Sequence, residues 1–279
     1  MNSSLITYKK EHSYVPEKEI YRSEENATVF LKARDAETGR AVGIKKIKAS
    51  DRRLLKEYEN EVKALIKLEK YSRSIPTVYD YFTDKNEITI IMSYIEGKTL
   101  AEVMANERDR VYTETVTRNN LRRLKSLAHV LGEIHRFEQA QHKDLKPANI
   151  ILKSYKNREE LFVIDFGLTG VLNYRGTGTL FYQAPEQSEL FRGMVSPDRI
   201  DVFSFGLIAY ELLEGRRLKF LEDLVLDPAK SEWKNIPDIK NPYVNRQVNN
   251  VIKKCLAYDP KNRYKNGERI EWELKKATK

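Results

Sequence analysis

Residues 142–149 read His-Lys-Asp-Leu-Lys-Pro-Ala-Asn. This stretch holds a candidate base, a cation and two oxygen-bearing side chains that can ligate a hard metal ion. A short apolar run follows, Ile150-Ile151-Leu152, and a second run ends in an acid, Phe162-Val163-Ile164-Asp165-Phe166-Gly167. Apolar runs of this kind read as buried strands, which sets Asp144, Asn149 and Asp165 at strand edges facing one site. The chemistry that suits such a set is phosphoryl transfer, which needs a group to orient a hydroxyl and oxygen ligands for Mg2+. Alone, the Asp144/Asn149 spacing would fit any solvated turn. The strand and the Asp-Phe-Gly that follow make it specific.

The elements that must position these residues are legible in outline. Alternation of period two begins near Thr28, with Val29, Leu31 and Ala33 on one face and Phe30, Lys32 and Arg34 on the other. Turn residues from Asp35 to Arg40 and a second alternating run, Ala41 to Ile47, predict a hairpin. Leu54, Leu55, Tyr58, Val62, Leu65, Ile66 and Leu68 recur at helical spacing and predict a helix over 51–70. Strands are predicted at Thr77–Phe82 and Ile88–Tyr94. Helices are predicted at Leu100–Asn106 and Asn119–Phe137, the latter with an apolar stripe through Leu121, Leu124, Leu127, Ala128, Leu131 and Ile134.

Taken in chain order, these segments resemble the catalytic domain of eukaryotic-type (Hanks-type) protein kinases of the serine/threonine class. His142-Lys143-Asp144 and Asn149 resemble the catalytic loop, and Asp165-Phe166-Gly167 the metal-binding motif. Val42-Gly43-Ile44-Lys45 resembles the strand that carries the phosphate-gripping lysine. Gly178-Thr179-Leu180-Phe181-Tyr182, Ala184-Pro185-Glu186, Asp201 to Gly206 and Asp259-Pro260-Lys261-Asn262-Arg263 match later motifs in the same order.

The resemblance implies an α+β, bilobal fold. An antiparallel sheet lobe with one helix would span residues 21–95 and a larger, mainly helical lobe 96–279, after an N-terminal arm over 1–20. Residues 21–274 would form a single kinase domain without a second regulatory domain. It also implies ATP and Mg2+ as cofactors and a serine or threonine hydroxyl of a protein as acceptor. Lys45 would grip the ATP phosphates, held by Glu61. Asp144 would orient the acceptor hydroxyl and take its proton, Lys146 would stabilise the γ-phosphate, and Asn149 and Asp165 would hold Mg2+. Val29 and Gly43 would lie above the adenine and Ile151 beneath it. Met92 would be the gatekeeper, and the backbone of Ser93 to Ile95 would bind the base. His142 would support Phe166 by packing, Asp201 would brace the catalytic loop, and Arg263 would pair with Glu186.

Four departures from the family pattern stand out. Residues 1–38 contain no glycine, and counting back from Val29 puts Arg22, Glu24 and Ala27 where glycines would let backbone amides approach phosphates. Gly43 replaces an alanine, which predicts a looser roof over the adenine. Lys143 replaces an arginine and cannot reproduce its two-pronged grip on a phosphorylated loop. The segment Leu168–Gln183 is short, with Thr169, Tyr174, Thr177 and Thr179 as its hydroxyls.

The totals bound the alternatives. The 279 residues include 50 basic and 41 acidic ones, a net charge of +9. No basic run is interleaved with aromatics, so no nucleic-acid partner is expected. One cysteine, Cys255, excludes an internal disulfide and reads as a core residue. There is no apolar run long enough for a membrane span and no signal-peptide core, which predicts a soluble, cytoplasmic protein. Two other functions compete with an active kinase: a pseudokinase that binds or scaffolds, and a small-molecule phosphotransferase. The altered nucleotide turn favours the first. The Gly-Thr and Ala-Pro-Glu segments argue against the second. An activator or regulator is a possible further partner.

Overall fold

The computed structural model describes residues 6–8, 12–23, 27–110, 112–137, 140–156, 158–166, 180–187, 199–218 and 236–279. By contacts the chain divides into Met1–Glu96 and Gly97–Lys279. The sheet-bearing first unit and mainly helical second unit are the α+β architecture expected from the sequence.

In the first unit, Asp35 closes the expected hairpin. Its Oδ1 accepts the N–H groups of Glu37 at 3.0 Å and Thr38 at 2.8 Å, a side chain standing in for backbone in the turn. The flanking strands extend one residue beyond their expected ends. Strands β1 (Ile6–Tyr8), β2 (His12–Ser23), β3 (Thr28–Asp35), β4 (Ala41–Lys48), β5 (Val78–Asp84) and β6 (Glu87–Ser93) form one antiparallel sheet. Its order is β1-β2-β3-β4-β6-β5.

The arm expected over residues 1–20 does not describe residues 12–20. They run in β2, paired with β3 from Tyr14↔Asp35 to Ser23↔Thr28. Tyr14 is buried in a core cluster with Ala33, Val42, Ile44 and Ile91. Polar composition hides this strand because its register shifts between Pro16 and Lys18 and again between Glu19 and Tyr21. Each irregularity breaks the alternation that sequence reading relies on.

Helix α1 (Arg52–Leu68) starts where Asp51 caps the N–H of Leu54 at 2.9 Å, and it buries Tyr58, Val62, Leu65 and Leu68. Just past its end, Glu69 accepts the N–H of Val78 at 2.6 Å, which ties the helix to β5.

The second unit opens with β7 (Lys98–Thr99), which pairs with the hairpin β8 (Ile150–Tyr155) and β9 (Arg158–Val163). Helix α2 (Leu100–Glu107) carries a capping box between Thr99 and Glu102. Helix α3 (Glu114–His135) begins five residues before the expected Asn119, at the cap of Thr113. Helix α4 (Ile200–Glu214) is buried along its whole length, α5 (Arg246–Cys255) holds the buried Cys255, and α6 (Gly267–Ala277) packs on α3. That last contact is backbone on backbone: a Cβ at Gly267 would lie 2.3 Å from the amide nitrogen of Gly132. Glycine at both positions is therefore required for the two helices to touch.

Candidate active site

In the second unit the candidate residues Asp144 and Lys146 lie just before a 3-10 turn, Pro147–Asn149, that carries Asn149 between α3 and β8. Asn149 donates its amide hydrogens to the Asp144 carbonyl at 2.9 Å and to Asp144 Oδ2 at 3.1 Å. Lys146 Nζ lies 2.9 Å from the same Oδ2. With its nitrogen so committed, Asn149 presents its oxygen as the end available to a metal ion. The Ile164 N–H donates to the Asn149 carbonyl at 2.9 Å, so Asp165 follows directly from a residue bonded to the loop. Asp165 has φ 58 and Lys143 φ 67, both in the left-handed region that side chains with a Cβ seldom adopt. Each such residue costs about 1–3 kcal/mol and persists only where its surroundings over-determine it.

At Lys143 the surroundings do so through Asp201. Its buried carboxylate accepts the N–H of His142 at 2.6 Å, the N–H of Lys143 at 2.9 Å and the ring of His135 at 3.1 Å. Gly267 N–H donates to His135 Nδ1 at 3.2 Å, which makes Nε2 the protonated nitrogen that donates to Asp201. Burial alone would raise the Asp201 carboxyl. The hydrogen bond from His135, with the backbone N–H of His142, holds it below the usual range.

Gln187 completes the cradle, donating to the Lys143 carbonyl at 2.8 Å and accepting the Ala184 N–H at 2.8 Å. His142 donates from Nε2 to the Ile164 carbonyl at 2.9 Å, and its ring packs 4.7 Å from Phe166. It is thus placed as a packing support, as expected. His135 and Gln187 escaped sequence reading. His135 lies on an apolar stripe that reads as ordinary core, and Gln187 follows the Ala-Pro-Glu segment with no spacing signal of its own.

A second anchor lies below. Arg263 satisfies all of its donors: Nε to the Ala257 carbonyl, Nη1 to Glu186 Oε1 and the Arg199 carbonyl, and Nη2 to Glu186 Oε2 and the Tyr258 carbonyl. The Arg263 side chain is 0% exposed and that of Glu186 4%. Ile151 is placed on β8 opposite Thr99 and Phe162. Gly167, Gly178 and the hydroxyls of Thr169, Tyr174, Thr177 and Thr179 lie outside the described residues, as do Glu24, Glu25 and Asn26 in the nucleotide turn.

In the first unit the register decides which residues share a face. Directly opposed residues of an antiparallel pair point the same way. Phe30 opposes Lys45, Lys32 opposes Gly43, and Gly43 opposes Met92. Val29 opposes Lys46 and so lies on the face away from Lys45. The expectation that groups Val29 with Lys45 is therefore corrected: Phe30 is the residue that shares the face of Lys45. Counting the hairpin register back from the Asp35–Arg40 closure would have found it. Counting from Phe30 moves the three would-be glycine positions to Ser23, Glu25 and Thr28.

The looser roof at Gly43 is corrected as well. A Cβ there would meet Phe30 Cζ at 2.7 Å and Cε2 at 2.9 Å, so the Phe30 ring already fills the space of the absent methyl. Phe30 stacks on Tyr94 with ring centroids 6.5 Å apart. Lys32 Nζ lies 4.9 Å from the centre of the Tyr94 ring and 2.8 Å from Glu96 Oε1. These contacts tie the Ser93–Glu96 segment to β3. Ser93 has committed its N–H to the Thr77 carbonyl at 2.8 Å and its hydroxyl to the Thr77 N–H at 2.9 Å. Glu61 is half-buried on α1 with Oε2 enclosed, near enough to the buried Tyr58 to help raise its phenol after burial itself. Of its competitors on the helix, Glu57 lies near Arg53, 3.8 Å away on the exposed side.

Among the described residues no group of three or more His, Cys, Asp or Glu side chains could hold a metal ion. Mg2+ on a phosphorylated substrate does not need one, since it keeps waters and phosphate oxygens and takes one or two protein oxygens. The oxygen ends of Asn149 and Asp165 fit that requirement. Among the described residues no helix is long and apolar enough to cross a membrane.

The serine/threonine-protein kinase PrkC of Bacillus subtilis is 28% identical over 263 residues, covering 90% of this chain and 38% of its own. A probable serine/threonine-protein kinase of Clostridium acetobutylicum is 26% identical, covering 88% and 37%. The serine/threonine-protein kinase drp72 of Corynebacterium efficiens is 28% identical, covering 88% and 47%. The chain thus spans less than half the length of these relatives. The model of the protein kinase domain family matches residues 25–272, and the chain belongs to that family.

Proposed function

We propose that this chain is an active serine/threonine protein kinase that transfers the γ-phosphate of ATP to a protein hydroxyl. The observation that carries this reading is the hydrogen-bonded set Asp144, Lys146 and Asn149, held by the buried Asp201. A binding or scaffold protein has no chemical need for that whole set. Asp144 orients the acceptor hydroxyl and takes its proton. Lys146 stands beside it to meet charge on the transferred group, and Lys45 of the first unit, held by Glu61, grips the remaining phosphates. Asn149 and Asp165 would hold Mg2+, which supplies charge neutralisation of the phosphates when bound. On the nucleotide face of the first unit, Gly43 and Met92 support the adenine together with Phe30, and the backbone of Ser93 to Ile95 meets its edge. The names of the relatives favour serine and threonine over tyrosine, as does Lys146. We place the protein in the cytoplasm.

The test is incubation with Mg2+ and γ-labelled ATP, alone and with a generic basic protein. The parent is expected to transfer label. Asp144→Asn should lose it by at least about 100-fold, the lower bound for a group acting on the proton in the transition state, and Asp165→Asn should lose it by removing a carboxylate ligand of Mg2+. Transfer by either variant at the parent rate would refute the assignment. The pseudokinase reading draws on one feature, the glycine-free turn ahead of Thr28. A parent that binds neither ATP nor Mg2+-ATP, and transfers nothing, would favour it.

A further inference from the structure

Helix α1 has two chemically different faces. The inner one packs Tyr58, Val62, Leu65 and Leu68 against the sheet at β5 and β6. The outer one is a basic stripe. Every basic side chain from Arg52 to Arg73 is exposed, whereas every acidic one in that span, Glu57, Glu59, Glu61 and Glu69, is half-buried. At about 100° per residue, Arg52, Lys56, Lys63 and Lys67 fall within about 60° of one another, along a line about 22 Å long. Ile66 is exposed beside Lys63 and Lys67.

The needs of the helix itself explain little of this stripe. Exposed cations on other helices pair with an acid one turn away, as Arg118 does with Glu114 and Lys275 with Glu271. Among the described residues Arg52, Lys56, Lys63 and Lys67 have no carboxylate partner, and Arg53 lies 3.8 Å from Glu57. The pairs Arg52/Lys56 and Lys63/Lys67 are like charges one turn apart, an arrangement that destabilises an isolated helix. The first turn holds no acid, so Arg52 and Arg53 stand at the positive end of the helix dipole, where a cation is disfavoured. Lys67, in the last turn, alone suits the dipole.

We propose that the outer face of α1 is a docking surface for an acidic segment of another protein, with carboxylates along the stripe and an apolar side chain on Ile66. An apolar contact ringed by charge is how protein interfaces are built. Two other polyanions fit less well. An amphipathic helix enters a membrane surface by its apolar face, and that face of α1 is already packed on the sheet. A nucleic acid would be held by its phosphates and one amide, Asn60, and would leave Ile66 facing water. The proposal does not depend on the kinase reading.

The experiment measures anisotropy of a fluorescein-labelled helical peptide in which glutamates recur every three or four residues around a single leucine. The reference peptide has glutamine for glutamate. The full chain should bind the acidic peptide at least about tenfold more tightly than the reference, and less tightly as salt rises. Lys63→Glu combined with Lys67→Glu should weaken it at least about tenfold, and Ile66→Ala should weaken it by less. Arg122→Glu combined with Lys265→Glu makes the same change in net charge at exposed positions of the second unit, and should leave binding unchanged. All these side chains are exposed, so Tm should hold across the set. A parent that does not bind the acidic peptide, or equal weakening by the two double variants, would overturn the proposal. So would tighter binding, at the same salt, of a labelled DNA duplex or of vesicles of phosphatidylcholine and phosphatidylserine.

Discussion

The catalytic turn and the nucleotide-facing side of the N-terminal sheet solve the same problem by different means. Both must hold side chains in fixed places. Around the turn, strained backbone at Lys143 is held by a buried polar network: Asp201 to two amides and His135, Gln187 to the Lys143 carbonyl, with Arg263 to Glu186 beyond it. On the sheet, position is set by volume. Phe30 fills what Gly43 vacates, and Tyr94 and Lys32 fasten the next segment to β3. A hydrogen-bond network has few tolerated substitutions because a lost partner leaves a buried group unsatisfied. A packed pair can change both members together if volume is kept. Two of the four departures from the family pattern, the glycine-free turn and Gly43, belong to the sheet, whereas Lys143, beside the turn, is held by its backbone.

This contrast can be broken first at Arg263. Arg263→Ala leaves Glu186 buried without its cation, and we expect a loss of about 3–5 kcal/mol in denaturant unfolding. Arg263→Lys should recover little of it, because an ammonium cannot serve both carboxylate oxygens and the three carbonyls around them. A loss below about 1 kcal/mol for Arg263→Ala would mean that the pair, though buried, is not an anchor.

Asp201→Asn tests the network nearer the chemistry. The amide keeps one acceptor but turns an N–H toward donors, and we expect about 1–3 kcal/mol of destabilisation with a larger fall in kcat than in ATP affinity. The effect should depend on pH. The folded carboxyl titrates below its unfolded value, so its contribution is complete above about pH 4, the ordinary aspartate range. It is lost as the pH falls from there through the folded value. The gap in Tm between parent and Asp201→Asn should therefore narrow on acidification below that range. A gap that stayed constant would show that the carboxylate charge is not what braces the loop.

On the sheet the expected effects are smaller and coupled. Gly43→Ala drives a methyl into the Phe30 ring and should cost about 1–3 kcal/mol as an overpacked core. Phe30→Val should remove most of that cost, giving a coupling between the two sites of about 1 kcal/mol. Additive effects would mean that the ring simply swings away. The same pair should leave kcat nearly unchanged and shift the KM for ATP, which the polar network variants should not do alone.

What the sequence reveals follows the same division. The catalytic turn is legible because its residues are contiguous and their spacing is fixed by one 3-10 turn and one hairpin. Helix α1 and the β3–β4 hairpin are legible by period. Phe30 was missed because the register was counted from a glycine pattern that this chain lacks, whereas counting from the hairpin closure at Asp35 and Arg40 pairs it with Lys45. β2 was missed because its two register shifts erase its alternation. His135 was missed because the partner that gives it meaning, Asp201, lies 66 residues away in the chain, and no local pattern encodes that contact.

The smallest effect bears on the glycine-free turn itself. Ala27 has φ 43, is exposed, and offers its carbonyl to the Lys48 N–H at 3.3 Å. An L-residue there carries about 1 kcal/mol of left-handed strain. Ala27→Gly relieves it but loosens the unfolded chain by about 0.4–1 kcal/mol. The two terms nearly cancel, so stability should move by less than about 0.5 kcal/mol. The KM for ATP is the more telling reading. If the turn already holds the backbone a phosphate needs, removing the Cβ should lower KM by clearing the approach to the amides. An unchanged KM with unchanged stability would show that the phosphates do not pass Ala27 and that the turn handles nucleotide through Ser23 or Thr28 instead.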